Sequence, residues 1–159
     1  MIEIFTTGGT IDKVYFDALS EYHIGPTTLP DILAENNVFA PHRVRQLMRK
    51  DSLDLTDADR QAVHDAVAGS DADKVLVTHG TDTMVETAQK LGDIAGKTIV
   101  LTGAMQPATL RKSDAEFNIG FALAATQTLP HGVYIAMNGE VFDPASARKD
   151  RVAHRFMHG

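Results

Sequence analysis

The sequence contains no cysteine, so disulfide bonds, thiolate metal ligands and a cysteine nucleophile are all excluded. It also contains no apolar run near the ~18 residues that a membrane-spanning helix needs. The first five residues, Met1-Ile2-Glu3-Ile4-Phe5, lack the basic region and the long apolar stretch of a signal peptide. These absences predict a protein that does not enter a membrane and that stays in the cytoplasm.

Positive charge is scarce as well. Fifteen Lys and Arg residues stand against 21 Asp and Glu residues, which gives a net charge of −6 without a long basic run. This balance disfavours nucleic-acid binding, which needs a basic surface. Apolar residues make up 43% of the chain, too many for a disordered protein. The 159 residues fit one domain, since domains average about 150 residues.

Short apolar runs followed by turn residues indicate the fold. The runs cover residues 2–5, 75–77, 99–101 and 133–137, with a weaker run at 44–48. Apolar residues at consecutive positions are typical of strands that are buried on both faces of a parallel sheet.

The stretches between these runs show helical spacing. Four sets of apolar residues each share one helix face: Met84, Ala88, Leu91 and Ala95; Phe117, Phe121, Ala124 and Ala125; Val63, Ala66 and Val67; and Leu29, Ile32 and Leu33. Ser113 with Glu116 predicts a capping box, Thr56 predicts a helix start, and Gly96 predicts a helix end. The alternation predicts an α/β fold: a doubly wound, mostly parallel sheet with helices on both faces, a three-layer sandwich like the Rossmann and flavodoxin folds.

Ligands of such sheets bind beyond the carboxyl ends of the strands, so the candidate ligand loops are those after the runs 2–5 and 75–77. The first loop, residues 6–12, contains Gly8, Gly9 and Thr10. Its glycines allow a tight turn with exposed backbone N–H groups, which could bind a phosphate. The loop lacks the lysine of a P-loop and the third glycine of a dinucleotide fingerprint, and a plain tight turn explains it equally well.

The second loop, residues 78–83, combines several hydroxyl groups with Asp82 at a helix start. Asp82 could simply support the helix dipole. Together, the two loops would place hydroxyls and one carboxylate around one cleft. Lys149 could be the base that such a site needs, because a partly desolvated lysine can accept a proton, or it could be a solvated surface charge.

These loops carry a resemblance to a known family. Residues 7–11 (Thr-Gly-Gly-Thr-Ile) and 79–84 (His-Gly-Thr-Asp-Thr-Met) resemble the two signature segments of bacterial-type L-asparaginases and glutaminase-asparaginases. Further segments match in order: 51–56 (Asp-Ser-Leu-Asp-Leu-Thr), 102–107 (Thr-Gly-Ala-Met-Gln-Pro), 113–115 (Ser-Asp-Ala) with Asn118, and Lys149. The resemblance covers nearly the whole chain, and the two signatures in the right order and spacing are a strong signal.

The resemblance implies hydrolysis of the side-chain amide of L-asparagine through an acyl-enzyme. Thr10 matches the nucleophile, and Tyr22 matches a tyrosine on a mobile loop beside it. Thr81, Asp82 and Lys149 match a second catalytic group, in which the lysine lowers the proton affinity of the threonine hydroxyl.

The resemblance also implies the substrate contacts, and it implies no metal and no cofactor. Asp82 matches the acid that holds the α-amino group, and Ser52 matches the residue that holds the α-carboxylate. Backbone N–H groups near Thr81 and Ala104 would stabilise the oxyanion. Gly9 and Gly80 belong to the same expected substrate-binding set.

The chain departs from the family pattern in three places. The smaller C-terminal domain that usually follows has no counterpart before Gly159, so we expect residues 1–159 to form the catalytic domain alone. The acid that this domain of a neighbouring subunit supplies is missing too. Leu53 stands where many members have glutamine, and Gln106 replaces an arginine. Surface left uncovered by the missing domain predicts self-association, most simply as a dimer.

Other interpretations of the same residues stay open. The domain could bind an amino acid or a nucleotide without turnover, as a regulatory module, because a fold does not fix a function. A lysine beside Thr81 and Asp82 would favour the enzyme. His154 and His158 could hold a metal, although frayed terminal histidines are the simpler explanation. For His79 we expect local hydrogen bonds rather than a role as base.

Overall fold

The computed structural model describes residues 1–16 and 21–159. The strands are Ile2–Gly8 (β1), Lys13–Phe16 (β2), Glu21–Ile24 (β3), His42–Lys50 (β4), Lys74–Thr78 (β5), Thr98–Thr102 (β6), Gly132–Met137 (β7), Glu140–Phe142 (β8), Arg148–Asp150 (β9) and Arg155–Met157 (β10). The helices are Leu29–Glu35 (α1), Asp57–Gly69 (α2), Met84–Lys90 (α3) and Ala115–Thr128 (α4).

The central sheet has six strands in the order β4-β1-β5-β6-β7-β8. The first five are parallel, and β8 returns antiparallel to β7. The chain moves from β1 outward to β4 on one side and to β5 on the other. The loops after β1 and β5 therefore flank the crevice where doubly wound sheets bind ligands. The α/β class that the apolar runs predicted is confirmed.

The core lies in two layers, one on each face of the sheet. Ile4, Leu76 and Val100 pack on one face, against apolar side chains of α1 and α4. Phe5, Val77 and Leu101 pack on the other face, against side chains of α2 and α3. Adjacent strand residues serve opposite layers, which explains why the strands are apolar at consecutive positions. Within the described residues, no helix is both long and apolar enough to span a membrane.

Helix α4 turns a different face to the core than its spacing predicted. Phe117 is 61% exposed and stacks on Phe121, with ring centroids 6.5 Å apart. Ile119 and Ala122 are buried instead. The Asn118 side chain explains the rotation, because its Nδ2 donates to the Gly103 carbonyl oxygen at 2.9 Å and so draws that face inward.

The start of α4 and the end of α3 also differ from expectation, whereas the predicted start of α2 is confirmed. The Ser113–Glu116 capping box is wrong, since Ser113 Oγ accepts from the Ala115 N–H at 3.0 Å and α4 begins at Ala115. Helix α3 ends at Lys90, before the predicted stop at Gly96. Helix α2 does begin after Thr56, whose side chain forms a capping box with Asp59.

Candidate active site

The first loop brings Thr10 to the end of β1. Gly8 and Gly9 have φ values of 103° and 85°, which favour glycine strongly, and Thr10 opens a short 3₁₀ turn. A Cβ atom on Gly9 would come within 2.5 Å of the Gly80 nitrogen. The backbone of the first loop therefore touches the backbone of the second, next to Thr10 on one side and Thr81 on the other.

A buried carboxylate anchors the first loop from behind. Asp12 Oδ1 accepts from both the N–H and the hydroxyl of Thr28 at 2.8 Å. Burial raises the pKa of the Asp12 carboxyl above its usual value, and the Thr28 hydrogen bonds offset part of that rise. This tie between the first loop and the start of α1 was not predicted, although an acid inside a glycine-rich loop was visible in the sequence.

Ser52 lies directly against the second loop. A Cβ atom on Gly80 would come within 2.6 Å of the Ser52 Cβ atom, so no larger residue fits there. The Thr83 hydroxyl donates to the Ser52 carbonyl oxygen at 2.7 Å, and the Thr83 N–H donates to Ser52 Oγ at 3.3 Å. The structure thus brings Ser52 beside Gly80 and Thr81.

Lys149 reaches this loop from the β9–β10 hairpin, 67 residues further along the chain. Its Nζ donates to Thr81 Oγ1 at 2.7 Å and to Asp82 Oδ1 at 2.8 Å. The Lys149 side chain is only 13% exposed and that of Asp82 is 26% exposed, so water screens the pair weakly. Phe156 pairs with Lys149 across the hairpin and is buried against Phe142, which fixes the strand that carries the lysine.

Arg151 is a second cation at the same carboxylate, and sequence reasoning missed it. Its Nε lies 3.4 Å from Asp82 Oδ1, and its side chain is 64% exposed. β9 ends at Asp150 and Arg151 is the first residue of the turn that follows, so no strand periodicity in the sequence predicted its position.

The loop that carries Ala104 is held by Asp114. The Asp114 carboxylate accepts from the Met105 N–H at 3.0 Å and from the Gln106 N–H at 3.1 Å. On the other side of the loop, a Cβ atom on Gly103 would overlap the His79 carbonyl oxygen. Ala104 is therefore packed beside the second loop with its backbone fixed from both sides.

Tyr22 lies on strand β3 of a hairpin rather than on a loop. It pairs with Tyr15 of β2, and the two rings meet edge to face with centroids 5.6 Å apart. Tyr22 is 46% exposed and lines an open depression of about 580 Å³ together with Lys13 and Asp51. Neither Thr10 nor Ser52 lines this depression, so it does not bring Tyr22 together with them.

His79 forms the local hydrogen bonds that were expected. Its Nδ1 lies 2.7 Å from the Gly80 carbonyl oxygen and its Nε2 lies 2.7 Å from the Thr87 hydroxyl. A carbonyl only accepts, so Nδ1 carries the proton and Nε2 accepts from Thr87. Burial lowers the pKa of His79 to about 4, which keeps the ring neutral and both nitrogens occupied.

This buried neutral histidine makes the stability of the fold depend on pH. The ring pKa is near 6.5 when unfolded and about 4 when folded, so the unfolded state binds the proton first. The resulting stability is complete above pH 6.5 and falls by about 3 kcal/mol as the pH drops to 4. Denaturant unfolding between pH 4 and 8 checks this. His79→Gln removes the titration, so a variant with the same pH slope as the wild type would contradict it.

No group of three or more His, Asp or Glu side chains in residues 1–16 and 21–159 is arranged to hold a metal ion. His154 and His158 do not form a helical pair, because His154 lies in a turn with φ of 52° and the His158 ring packs on Phe142 at 4.5 Å. The metal interpretation of these two histidines therefore receives no support from their geometry.

Comparison with known proteins places the chain in a family. Residues 1–156 match the family model described as the asparaginase N-terminal domain. The chain is 33% identical over 160 residues to a probable periplasmic L-asparaginase of Haemophilus influenzae, covering 93% of this chain and 46% of that protein. It is 32% identical over 165 residues to L-asparaginase 2 of Escherichia coli, again covering 93% and 46%.

Solved structures agree with the sequence matches. The thermostable L-asparaginase from Thermococcus kodakarensis superposes with a TM-score of 0.83 at 25% identity, over 99% of this chain and 50% of that one. A probable cytoplasmic L-asparaginase from Campylobacter jejuni superposes with a TM-score of 0.73 at 28% identity, over 93% and 47%. The chain thus spans about half the length of the relatives it matches. By its sequence and its fold, this chain belongs to the asparaginase family, whose N-terminal domain it matches almost from end to end.

Proposed function

We propose that this protein is an amidohydrolase that releases ammonia from the side-chain amide of L-asparagine, with Thr10 as nucleophile. The observation that carries the proposal is the contact of Lys149 Nζ with both Thr81 and Asp82, beside the loop of Thr10. A threonine hydroxyl is a weak nucleophile until a neighbouring group takes its proton. A mostly buried lysine on a hydroxyl and a carboxylate is an arrangement that moves protons.

In the first half of the reaction, Thr10 Oγ1 attacks the amide carbon and the negative charge moves to the amide oxygen. Backbone N–H groups near Thr81 and Ala104 stabilise this oxyanion, and their loops are held rigidly enough to do so without reorganisation. The bond between carbon and nitrogen then breaks. The nitrogen leaves as ammonia with the proton that Thr10 lost, and an ester joins the acyl group to Thr10.

In the second half, water attacks the ester carbon and displaces the Thr10 oxygen. The hydrogen bond between Thr81 and Lys149 relays the proton that the water loses, and this proton passes to the departing Thr10 oxygen. The products are L-aspartate and the free enzyme. We assign the α-carboxylate of the substrate to Ser52 and its α-amino group to Asp82, as the family resemblance implies.

The alternative of a regulatory module that binds without turnover is less well supported. A binding site needs charge and hydrogen-bond donors, but it does not need a lysine on a threonine hydroxyl. The 2.7 Å contact between Lys149 and Thr81 was the feature that would distinguish the two functions, and it favours the enzyme.

An ammonia-release assay with L-asparagine, L-glutamine and simple amides tests the proposal. The protein is made in a host without asparaginases of its own, and thermally unfolded protein is the control. We expect ammonia from L-asparagine above the control, whereas no ammonia from any of these amides would overturn the proposal. Light scattering on the same sample measures self-association, which exposed side chains such as Phe117 at 61% and Val152 at 93% favour.

A further inference from the structure

Asp82, the acid placed to bind an ammonium group, already carries two cations on one oxygen. Lys149 Nζ lies 2.8 Å and Arg151 Nε lies 3.4 Å from Asp82 Oδ1. Within the part of the chain that the structure describes, neither cation forms an ion pair with any other carboxylate. The three groups together therefore present a net positive charge to the site.

This charge opposes the binding of a substrate ammonium at Asp82. An incoming ammonium would gain the attraction of one carboxylate and suffer the repulsion of two cations. Lys149 is 13% exposed, so water screens its repulsion weakly, whereas Arg151 is 64% exposed and is screened more strongly. A substrate carboxylate experiences the reverse. The cluster therefore favours the binding of a negatively charged group of the ligand and disfavours the binding of a positively charged one.

Two described residues beside this cluster, Leu53 and Asp150, offer the ammonium no replacement contact. Leu53, which follows Ser52, is 60% exposed, and its side chain is apolar. Asp150, which lies between the two cations in sequence, is engaged elsewhere, because its Oδ1 accepts from the N–H groups of Val152 and Ala153 at 3.0 Å. Its carboxylate closes the hairpin turn and is not aimed at Asp82.

We propose that the preferred substrates of this site are carboxylate-bearing primary amides without a free ammonium group, and that Arg151 beside Asp82 sets this preference. The inference rests on the proposed amidohydrolase function and narrows its substrate class. Succinamate, which is asparagine without its α-amino group, is the simplest member. N-acetyl-L-asparagine is a second, since acetylation removes the positive charge.

Two measurements test the preference, one with turnover and one without. The first compares kcat/KM for succinamate, N-acetyl-L-asparagine and L-asparagine. The second compares by calorimetry the binding of succinate and L-aspartate, which differ in the ammonium group. Both use the wild type, Arg151→Gln and, as a matched control, Arg148→Gln. Arg148 lies one residue before Lys149, so its side chain leaves the opposite face of the strand.

The wild type should prefer succinamate in turnover and succinate in binding. Arg151→Gln should shift both ratios about five- to tenfold toward the ammonium-bearing ligand, the effect of one partly exposed charge at this distance, and Arg148→Gln should shift neither. A wild type that prefers L-asparagine and L-aspartate would overturn the substrate class. An unchanged ratio in Arg151→Gln would overturn the role of that residue.

The binding measurement separates this inference from the proposed function. If no amide releases ammonia, the amidohydrolase is lost, and the succinate-to-aspartate ratio still decides whether the site rejects an ammonium group. If L-asparagine turns over faster than succinamate, the amidohydrolase stands and the substrate class is wrong.

Discussion

Replacing Lys149 with methionine should lower kcat for ammonia release by about 10³-fold, the usual contribution of a positioned acid–base group. Methionine preserves the length of the side chain and removes the only described amine on Thr81 Oγ1. Arg151 still reaches Asp82, but a guanidinium does not give up its proton and cannot replace the lysine as a relay. A coupled ammonia assay at saturating substrate measures the loss.

The companion variant Lys149→Arg separates proton transfer from charge. Arginine keeps a positive group near Asp82, so it should remain nearly as inactive as Lys149→Met if the lysine moves protons. Lys90→Met, an exposed residue of α3, is the control and should retain full activity. Full activity in Lys149→Arg would show that only the charge matters and would contradict the proton relay.

Loss of activity in these variants must not come from unfolding. Lys149 is tied to the hairpin through its backbone pairing with Phe156, which the substitution leaves intact. The lost ion pair is mostly buried, but Arg151 remains beside Asp82, so we expect the unfolding free energy to fall by about 1–3 kcal/mol. Circular dichroism and denaturant unfolding of each variant verify this.

The fold was predictable because its signals are local. Strands β5 and β6 are buried on both faces, and the consecutive apolar residues in their sequences indicate this burial. The alternation of these runs with helical spacing then leaves few topologies. The two loops at the carboxyl ends followed from the same rule, and it is there that the family signatures lie.

The parts that failed depend on contacts far apart in the sequence. The rotation of α4 is set by the amide of Asn118 on Gly103, 15 residues away, and no periodicity within the helix contains that contact. No local pattern connected Arg151 with Asp82, 69 residues before it, since only folding brings the two side chains together. The hydrogen bonds of Asp114 to the loop of Ala104 were hidden for the same reason.

Thr10 and Thr81 are the two threonines of the site whose hydroxyl groups compete for the role of nucleophile. Both hydroxyls lie on touching loops, but they differ in their surroundings. Thr81 Oγ1 is already held by Lys149 at 2.7 Å and is 6% exposed. Thr10 is half-buried at the first turn after β1, where it is more open to a ligand. These surroundings support our proposal that Thr10 attacks the substrate and that Thr81 passes protons.

Thr10→Ala should abolish ammonia release, with a loss greater than about 10³-fold, because no other group at the same position can form the ester. Thr10→Ser keeps the hydroxyl and should retain measurable activity. Unfolding free energies of both variants should lie within about 1 kcal/mol of the wild type, since Thr10 is only half-buried.

Mass spectrometry of acid-quenched reactions locates the covalent intermediate. Wild-type protein mixed with substrate should gain one acyl group on the peptide that contains Thr10, and Thr10→Ala should gain none. Thr81→Ala should slow turnover but still allow the acyl group to form on Thr10, because we propose the relay for the water that releases the ester and not for the formation of the ester. An acyl group on Thr81 in the wild type, or undiminished ammonia release by Thr10→Ala, would reverse the roles of the two threonines.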